Sequence, residues 1–160
     1  MTTLATPSGA EVATFANGCF WGTEHLFRKN FAHCGLIDAK VGFIGGDKAR
    51  FPKPSYREVC SGSTGHAEAA QLSYDPAKVS YAELVEFFYR THDPTQVDGQ
   101  GPDVGTQYRS GLYPHTADQL HTAKEITAKV QKERFDPNGT RIVTEIVELP
   151  ASDFTITKSI

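Results

Sequence analysis

Val12-Ala13-Thr14-Phe15-Ala16-Asn17-Gly18-Cys19-Phe20-Trp21-Gly22-Thr23-Glu24 is the stretch on which the fold turns, because a short apolar run stops within it and a helical pattern starts. Residues 12–16 have the length and apolar character of a buried strand, Asn17-Gly18 is turn chemistry, and Phe20, Thr23 and Phe27 recur at helical spacing. Cys19 is therefore expected in the first helical turn. There the backbone N–H groups lack partners and the positive end of the helix dipole favours an anion, the setting that turns a thiol into a reactive thiolate. A cysteine packed as a small apolar side chain is the bland alternative.

Outward from that turn, alternation marks the strands. In residues 36–43, Ile37, Ala39, Val41 and Phe43 fall on one side and Asp38 and Lys40 on the other, which predicts a half-buried strand. Residues 47–55 form a basic, proline-broken loop, and Tyr56-Arg57-Glu58-Val59-Cys60 is too short to classify. Glu68, Ala70, Leu72 and Tyr74 then share a face until Asp75-Pro76 ends the run. A carboxylate on a mostly apolar face is a second anomaly, for which an exposed strand end is the plain explanation.

Ser80 and Glu83 make a capping box for a helix reaching about His92, with Leu84, Val85, Phe87 and Phe88 as its core face. Residues 95–107 form a long connection, the kind that tends to carry function in compact domains. Residues 108–113 read as a strand. A helix follows from Thr116, with Gln119 completing a second capping box and Leu120, Ala123, Thr127 and Val130 turned inward. After a turn at Asp136-Pro137-Asn138-Gly139, residues 142–149 read as the last clear strand, with Val143, Val147 and Leu149 facing one way. Interleaved strands and helices predict an α+β fold, a two-layer α/β sandwich in which helices pack on a mixed sheet.

The 160 residues suit a single domain, residues 1–160, able to bury roughly 70% of its unfolded surface. A hydrophobic content of 39%, a charged content of 22% and a formal net charge of −3 give no electrostatic reason to expect nucleic acid. No apolar run approaches the ~18 residues of a membrane span. The first basic residue is Arg28, so the amino terminus reads as neither a secretion signal nor a transit peptide. Cys19, Cys34 and Cys60, odd in number and irregularly spaced, argue against a disulfide framework and for a cytoplasmic setting. They also lack the close pairing of zinc knuckles, so no metal site is expected from them with His66.

Beyond pattern, five blocks together resemble the peptide methionine sulfoxide reductase A family. They are Gly18-Cys19-Phe20-Trp21-Gly22-Thr23-Glu24, Tyr56-Arg57-Glu58-Val59-Cys60, Gly65-His66-Ala67-Glu68, His92-Asp93-Pro94-Thr95-Gln96 and Gln100-Gly101-Pro102-Asp103-Val104-Gly105-Thr106-Gln107-Tyr108-Arg109-Ser110. The blocks stand in the family's order from about Val12 to about Tyr113, and the residues beyond match more loosely.

The resemblance implies an α/β sandwich of ferredoxin-like kind. It implies thiol-dependent reduction of the S epimer of methionine sulfoxide, free or in proteins, to methionine, a repair of oxidised proteins that passes through a cysteine sulfenic acid. Cys19 matches the nucleophile, Glu68 the acid, Tyr56 and Tyr108 the hydroxyls that hold the sulfoxide oxygen, and Asp103 a polar member of the pocket. Phe20 and Trp21 match the wall that receives the substrate's methyl group. No bound cofactor and no metal are implied; the partners are methionine sulfoxide and an external thiol reductant of thioredoxin, glutaredoxin or glutathione type. A monomer is expected.

Two features depart from the family pattern. Phe43 stands where tyrosine is frequent. Where members continue with Ala-Glu, Tyr-His-Gln and often a resolving cysteine, this sequence reads Phe154-Thr155-Ile156-Thr157-Lys158-Ser159-Ile160. An external thiol acting directly on Cys19 is therefore expected in preference to Cys34 or Cys60. Two alternatives stay open: acyl transfer by Cys19, His66 and Glu68, since such triads recur in several chain orders, and a catalytically inactive binding module on the same fold.

Overall fold

The computed structural model describes residues 3–157. Strand β1 (Glu11–Asn17) leads into helix α1 (Phe20–Phe31), as the opening stretch predicts, and β2 (Leu36–Ile44) returns along the sheet. A five-residue helix, α2 (Tyr56–Cys60), precedes β3 (Ala67–Tyr74) and α3 (Tyr81–Arg90). The hairpin β4 (Gly99–Gln100) and β5 (Asp103–Val104) and a 3₁₀ turn at Thr106–Tyr108 then lead to β6 (Ser110–Leu112) and α4 (Ala117–Val130). Two short strands, β7 (Glu145–Ile146) and β8 (Thr155–Ile156), complete the main sheet, whose order is β7-β6-β1-β3-β2-β8. Only the β6–β7 pair is parallel among the described ladders, so the sheet is mixed, as expected.

Alternation along the strands decides which side the helices cover. Phe15, Ala39, Ala70 and Leu72 pack with Phe27 of α1, Leu84, Val85 and Phe88 of α3, and Ala123 of α4 in one fully buried layer. Phe15 and Phe27 stack at 4.9 Å between ring centroids, pinning α1 to the centre of the sheet. On the other face Ala16, Ile44, Ala67, Ala69 and Tyr113 are covered by Phe154, with Leu149 and Ile156 beside it.

Several sequence expectations are corrected. Ile37 does not join Ala39 and Phe43 on the core side: the β2–β3 register slips between Leu36 and Asp38, and this bulge leaves Ile37 exposed. Residues 142–149 form a ladder only at Glu145–Ile146, and Val143 and Val147 are exposed while Ile142 and Ile146 pack inward. Strand β6 starts at Ser110, which leaves Tyr108 in the preceding 3₁₀ turn. Ser80 and Glu83 do form their capping box. Gln119 forms only half of the second one: its N–H donates to Thr116, but its side chain reaches past the cap, accepting from His115 N–H at 2.9 Å and donating to Val12 C=O at 2.9 Å. Lys158, Ser159 and Ile160 lie outside the described residues.

Candidate active site

The strand-to-helix turn depends on Gly18. Its φ is +111°, which side chains rarely adopt, and a Cβ there would stand 2.9 Å from the Cβ of Gln100. The turned backbone makes Cys19 the cap of α1 and not a member of its first turn, which corrects the sequence reading by one residue. Cys19 keeps extended backbone angles, makes no side-chain cap bond, and is partly exposed. Its carbonyl already accepts from the N–H groups of Gly22 and Thr23, at 3.1 and 3.3 Å.

The first N–H of the helix, that of Phe20, is spent on Glu68. It donates to Glu68 Oε1 at 3.2 Å, and Glu68 is only 1% exposed. The exposed strand end offered as the plain explanation is thereby excluded. Phe43 faces Glu68 across the β2–β3 ladder, and its ring lies 5.7 Å from that of Phe20. The second carboxyl oxygen, Oε2, is buried and has no hydrogen-bond partner among the described residues. Burial pushes the Glu68 carboxyl up to about 7; the Phe20 N–H opposes the shift and the Asp103 carboxylate adds to it.

That shift has a consequence for folding. Between the ordinary glutamate value and about 7 the unfolded chain loses the Glu68 proton while the native chain keeps it, so native stability falls as pH rises through this window and is level above it. Glu68→Gln removes this loss. Unfolding free energies of the two proteins, from denaturant titrations at each pH, are expected to draw apart between pH 4.5 and 7 in favour of the variant, by on the order of 3 kcal/mol at the plateau. Curves that run parallel across the window would show an ordinary, solvated carboxylate.

Helix α2 brings the next groups. Ser55 accepts from Glu58 N–H at 3.1 Å and Glu58 Oε1 accepts from Ser55 N–H at 2.9 Å, a capping box legible as Ser-x-x-Glu that would have classified Tyr56–Cys60. One turn apart on this helix, the Cys60 sulfur lies beside the Tyr56 hydroxyl. It is the foremost cause that keeps this hydroxyl protonated, followed by burial and by the charges of Glu68 and Tyr108. The Tyr56 ring sits 6.1 Å from Phe20, whose other edge meets Trp21 at 5.7 Å and right angles. Trp21 is 47% exposed, so this apolar wall opens to solvent. Cys60, which the sequence reading set behind an external thiol, stands beside the Tyr56 hydroxyl; its i, i+4 spacing from Tyr56 was the available signal.

The long connection supplies the rest. Gln100 accepts from Asp93 N–H at 2.9 Å and donates to Asp93 C=O at 3.0 Å. Gln96 grips Gly101 in the same way, at 2.7 and 3.2 Å. These two amides fasten the hairpin that bears Asp103 to the segment after α3, and Gln100 stands against Gly18 at the turn before Cys19. Tyr108 follows, and burial first, then the charges of Glu68, Cys60, Asp103 and Cys19, hold its hydroxyl protonated. Arg109 fixes the turn, donating to Thr106 C=O at 2.8 Å and to Glu145 at 3.2 Å, while Glu145 also accepts from the Tyr113 hydroxyl at 2.7 Å.

His66 faces elsewhere. Its Nδ1 accepts from Gly46 N–H at 3.2 Å, so its Nε2 carries the proton and donates to Phe51 C=O at 3.1 Å. Buried and pushed down by desolvation, it has no nitrogen left to take a proton from a thiol, and the Cys19–His66–Glu68 triad has no base.

Residues 11–158 match the family model described as peptide methionine sulfoxide reductase. The peptide methionine sulfoxide reductase MsrA of Klebsiella pneumoniae is 49% identical over 141 residues, covering 88% of this chain, while the chain spans 64% of that protein's length. Among solved structures, Mxr1 from Saccharomyces cerevisiae in reduced form superposes with a TM-score of 0.87 at 39% identity, over 98% of this chain and 85% of that one. Mxr1 in complex with Trx2 superposes with a TM-score of 0.65 at 27% identity, over 98% of this chain and 96% of that one.

Proposed function

The chain belongs to the peptide methionine sulfoxide reductase family, and from that premise we propose that it reduces the S epimer of methionine sulfoxide to methionine, with Cys19 as nucleophile and Glu68 as acid. The observation that carries the reading is the buried Oε2 of Glu68, without a hydrogen-bond partner among the described residues, on a carboxyl that holds its proton to about pH 7. An oxygen leaves sulfur only when it is protonated, and an ordinary glutamate is almost wholly ionised at neutral pH. A buried one is not.

In this reading the Cys19 thiolate attacks the sulfoxide sulfur while Glu68 protonates the oxygen. The oxygen passes to Cys19, giving a sulfenic acid and free methionine: thiol plus sulfoxide becomes sulfenic acid plus thioether, with nothing left over. Phe20 and Trp21 receive the methyl group. Tyr56 and Tyr108, both kept protonated, donate to the sulfoxide oxygen as charge develops on it, and Asp103 completes the polar side of the pocket. Tyr108→Phe is expected to slow the first turnover roughly a hundredfold, read by quenched-flow release of methionine; an unchanged rate would remove the hydroxyl from the mechanism.

A thiol then condenses with the sulfenic acid, expelling water, and a second thiol frees Cys19. The Mxr1–Trx2 complex supports a thioredoxin-type dithiol in that role. No described helix is long and apolar enough to cross a membrane, and the proposed setting is the cytoplasm, with the chain a single domain acting as a monomer in the repair of oxidised proteins. The test is a single turnover without reductant: one equivalent of methionine per chain supports the reading, and none overturns it.

A further inference from the structure

The turn that carries Cys19 is closed from beneath by side chains without a part in the reaction as described. The Thr23 hydroxyl, in the first turn of α1, donates to Asn17 Oδ1 at the end of β1 and so clasps the turn across Cys19. The same hydroxyl lies 3.3 Å from the Cys19 carbonyl. At the other end of the amide, Asn17 Nδ2 donates to the Thr91 hydroxyl at 2.7 Å, which donates to the Phe88 carbonyl at 2.6 Å in the last turn of α3. Asn17 is 7% exposed and Thr23 1%. An amide has one accepting and one donating end, so the string from α1 through β1 to α3 has a fixed direction. Phe20 lies inside the span from Asn17 to Thr23, and its N–H is the one that meets Glu68 Oε1.

We propose that Asn17 is a positioning residue for the acid: the Asn17–Thr23 clasp holds the first turn of α1 where the Phe20 N–H meets the Glu68 carboxyl, and so sets how readily that carboxyl parts with its proton. The groups that face the carboxyl are the Phe20 N–H from α1, Asp103 from β5, Tyr108 from the 3₁₀ turn and Tyr56 from α2, with the Phe43 ring opposite on β2. Burial and Asp103 disfavour the anion, and the Phe20 N–H favours it. When the clasp is lost, the N–H withdraws and the proton is held more tightly.

The inference rests on the acid role proposed for Glu68, and the experiment separates the two. Asn17→Ala, Thr23→Val and Thr23→Ser are compared with the unaltered chain by infrared titration of the Glu68 carboxyl, assigned by its loss in Glu68→Gln. Asn17→Ala and Thr23→Val are expected to raise the half-titration of Glu68 by about one unit. The pH at which single-turnover methionine release declines moves up with it, and the plateau rate drops roughly tenfold. Thr23→Ser, which keeps the hydroxyl, restores both. Thr23→Val is the milder change and carries the test if Asn17→Ala does not fold. A Glu68 titration that stays put in a folded Thr23→Val protein overturns the clasp, whatever its activity. A titration that moves in a chain whose unaltered form releases no methionine upholds the clasp and overturns the reductase reading instead.

Discussion

Cys19→Ser is expected to release no methionine above background in a single turnover, the largest effect that any one substitution should have here. Serine fits the space, leaves the α1 cap intact and keeps a hydroxyl in place of the thiol. It fails for two chemical reasons. A hydroxyl is not ionised at neutral pH and is a weak nucleophile unless a base activates it, and His66, the imidazole that stood as its candidate base, has both nitrogens engaged with backbone. It also has no counterpart of the sulfenic acid: taking oxygen from a sulfoxide would require an O–O bond, whereas sulfur accepts oxygen readily. Amino-acid analysis of the quenched mixture, with a sulfenic-acid trap on Cys19 in the unaltered protein, checks both halves. Methionine release by the serine variant would mean that another residue carries the oxygen.

Glu68→Gln is expected to slow the same step on the order of 10²- to 10⁴-fold, the range that a positioned general acid supplies. The amide keeps an oxygen for the Phe20 N–H, so the fold and the apolar wall should survive, and substrate binding should change little. The pH dependence gives the sign. With a carboxyl that holds its proton to about 7, activity of the unaltered protein declines as pH rises through that value, because the acid is lost. In Glu68→Gln the residual rate should have no such limb. A variant that equals the unaltered protein at pH 6 would show that the proton comes from elsewhere.

Much of this was legible in the chain because the signals were local. The turn at Asn17-Gly18 fixed the junction of β1 and α1, since only a glycine tolerates φ +111° against Gln100. Glu68 was visible as an acid among Ala70, Leu72 and Tyr74, but its burial depends on α1 and β2, which lie far away in sequence. Ile37 was misplaced because a bulge adds one residue and a period of two cannot survive it. Residues 142–149 alternate like a strand, yet mostly bond singly to Pro94, Leu112 and Pro114 without forming a ladder. The Asn17–Thr23–Thr91 string was only partly legible: Thr23 shares its helical spacing with Phe20 and Phe27, but its partners come from the end of β1 and the residue after α3, which no local pattern joins to it.

The central claim is a proton on Glu68 beside Cys19 at neutral pH, and infrared titration of the Glu68 carboxyl in the otherwise unaltered protein tests it most directly. A protonated carboxyl band, absent in Glu68→Gln, that is half lost near pH 7 is the expected result. A band half lost near pH 4.5 would contradict it, leaving an ionised carboxylate with no proton to give.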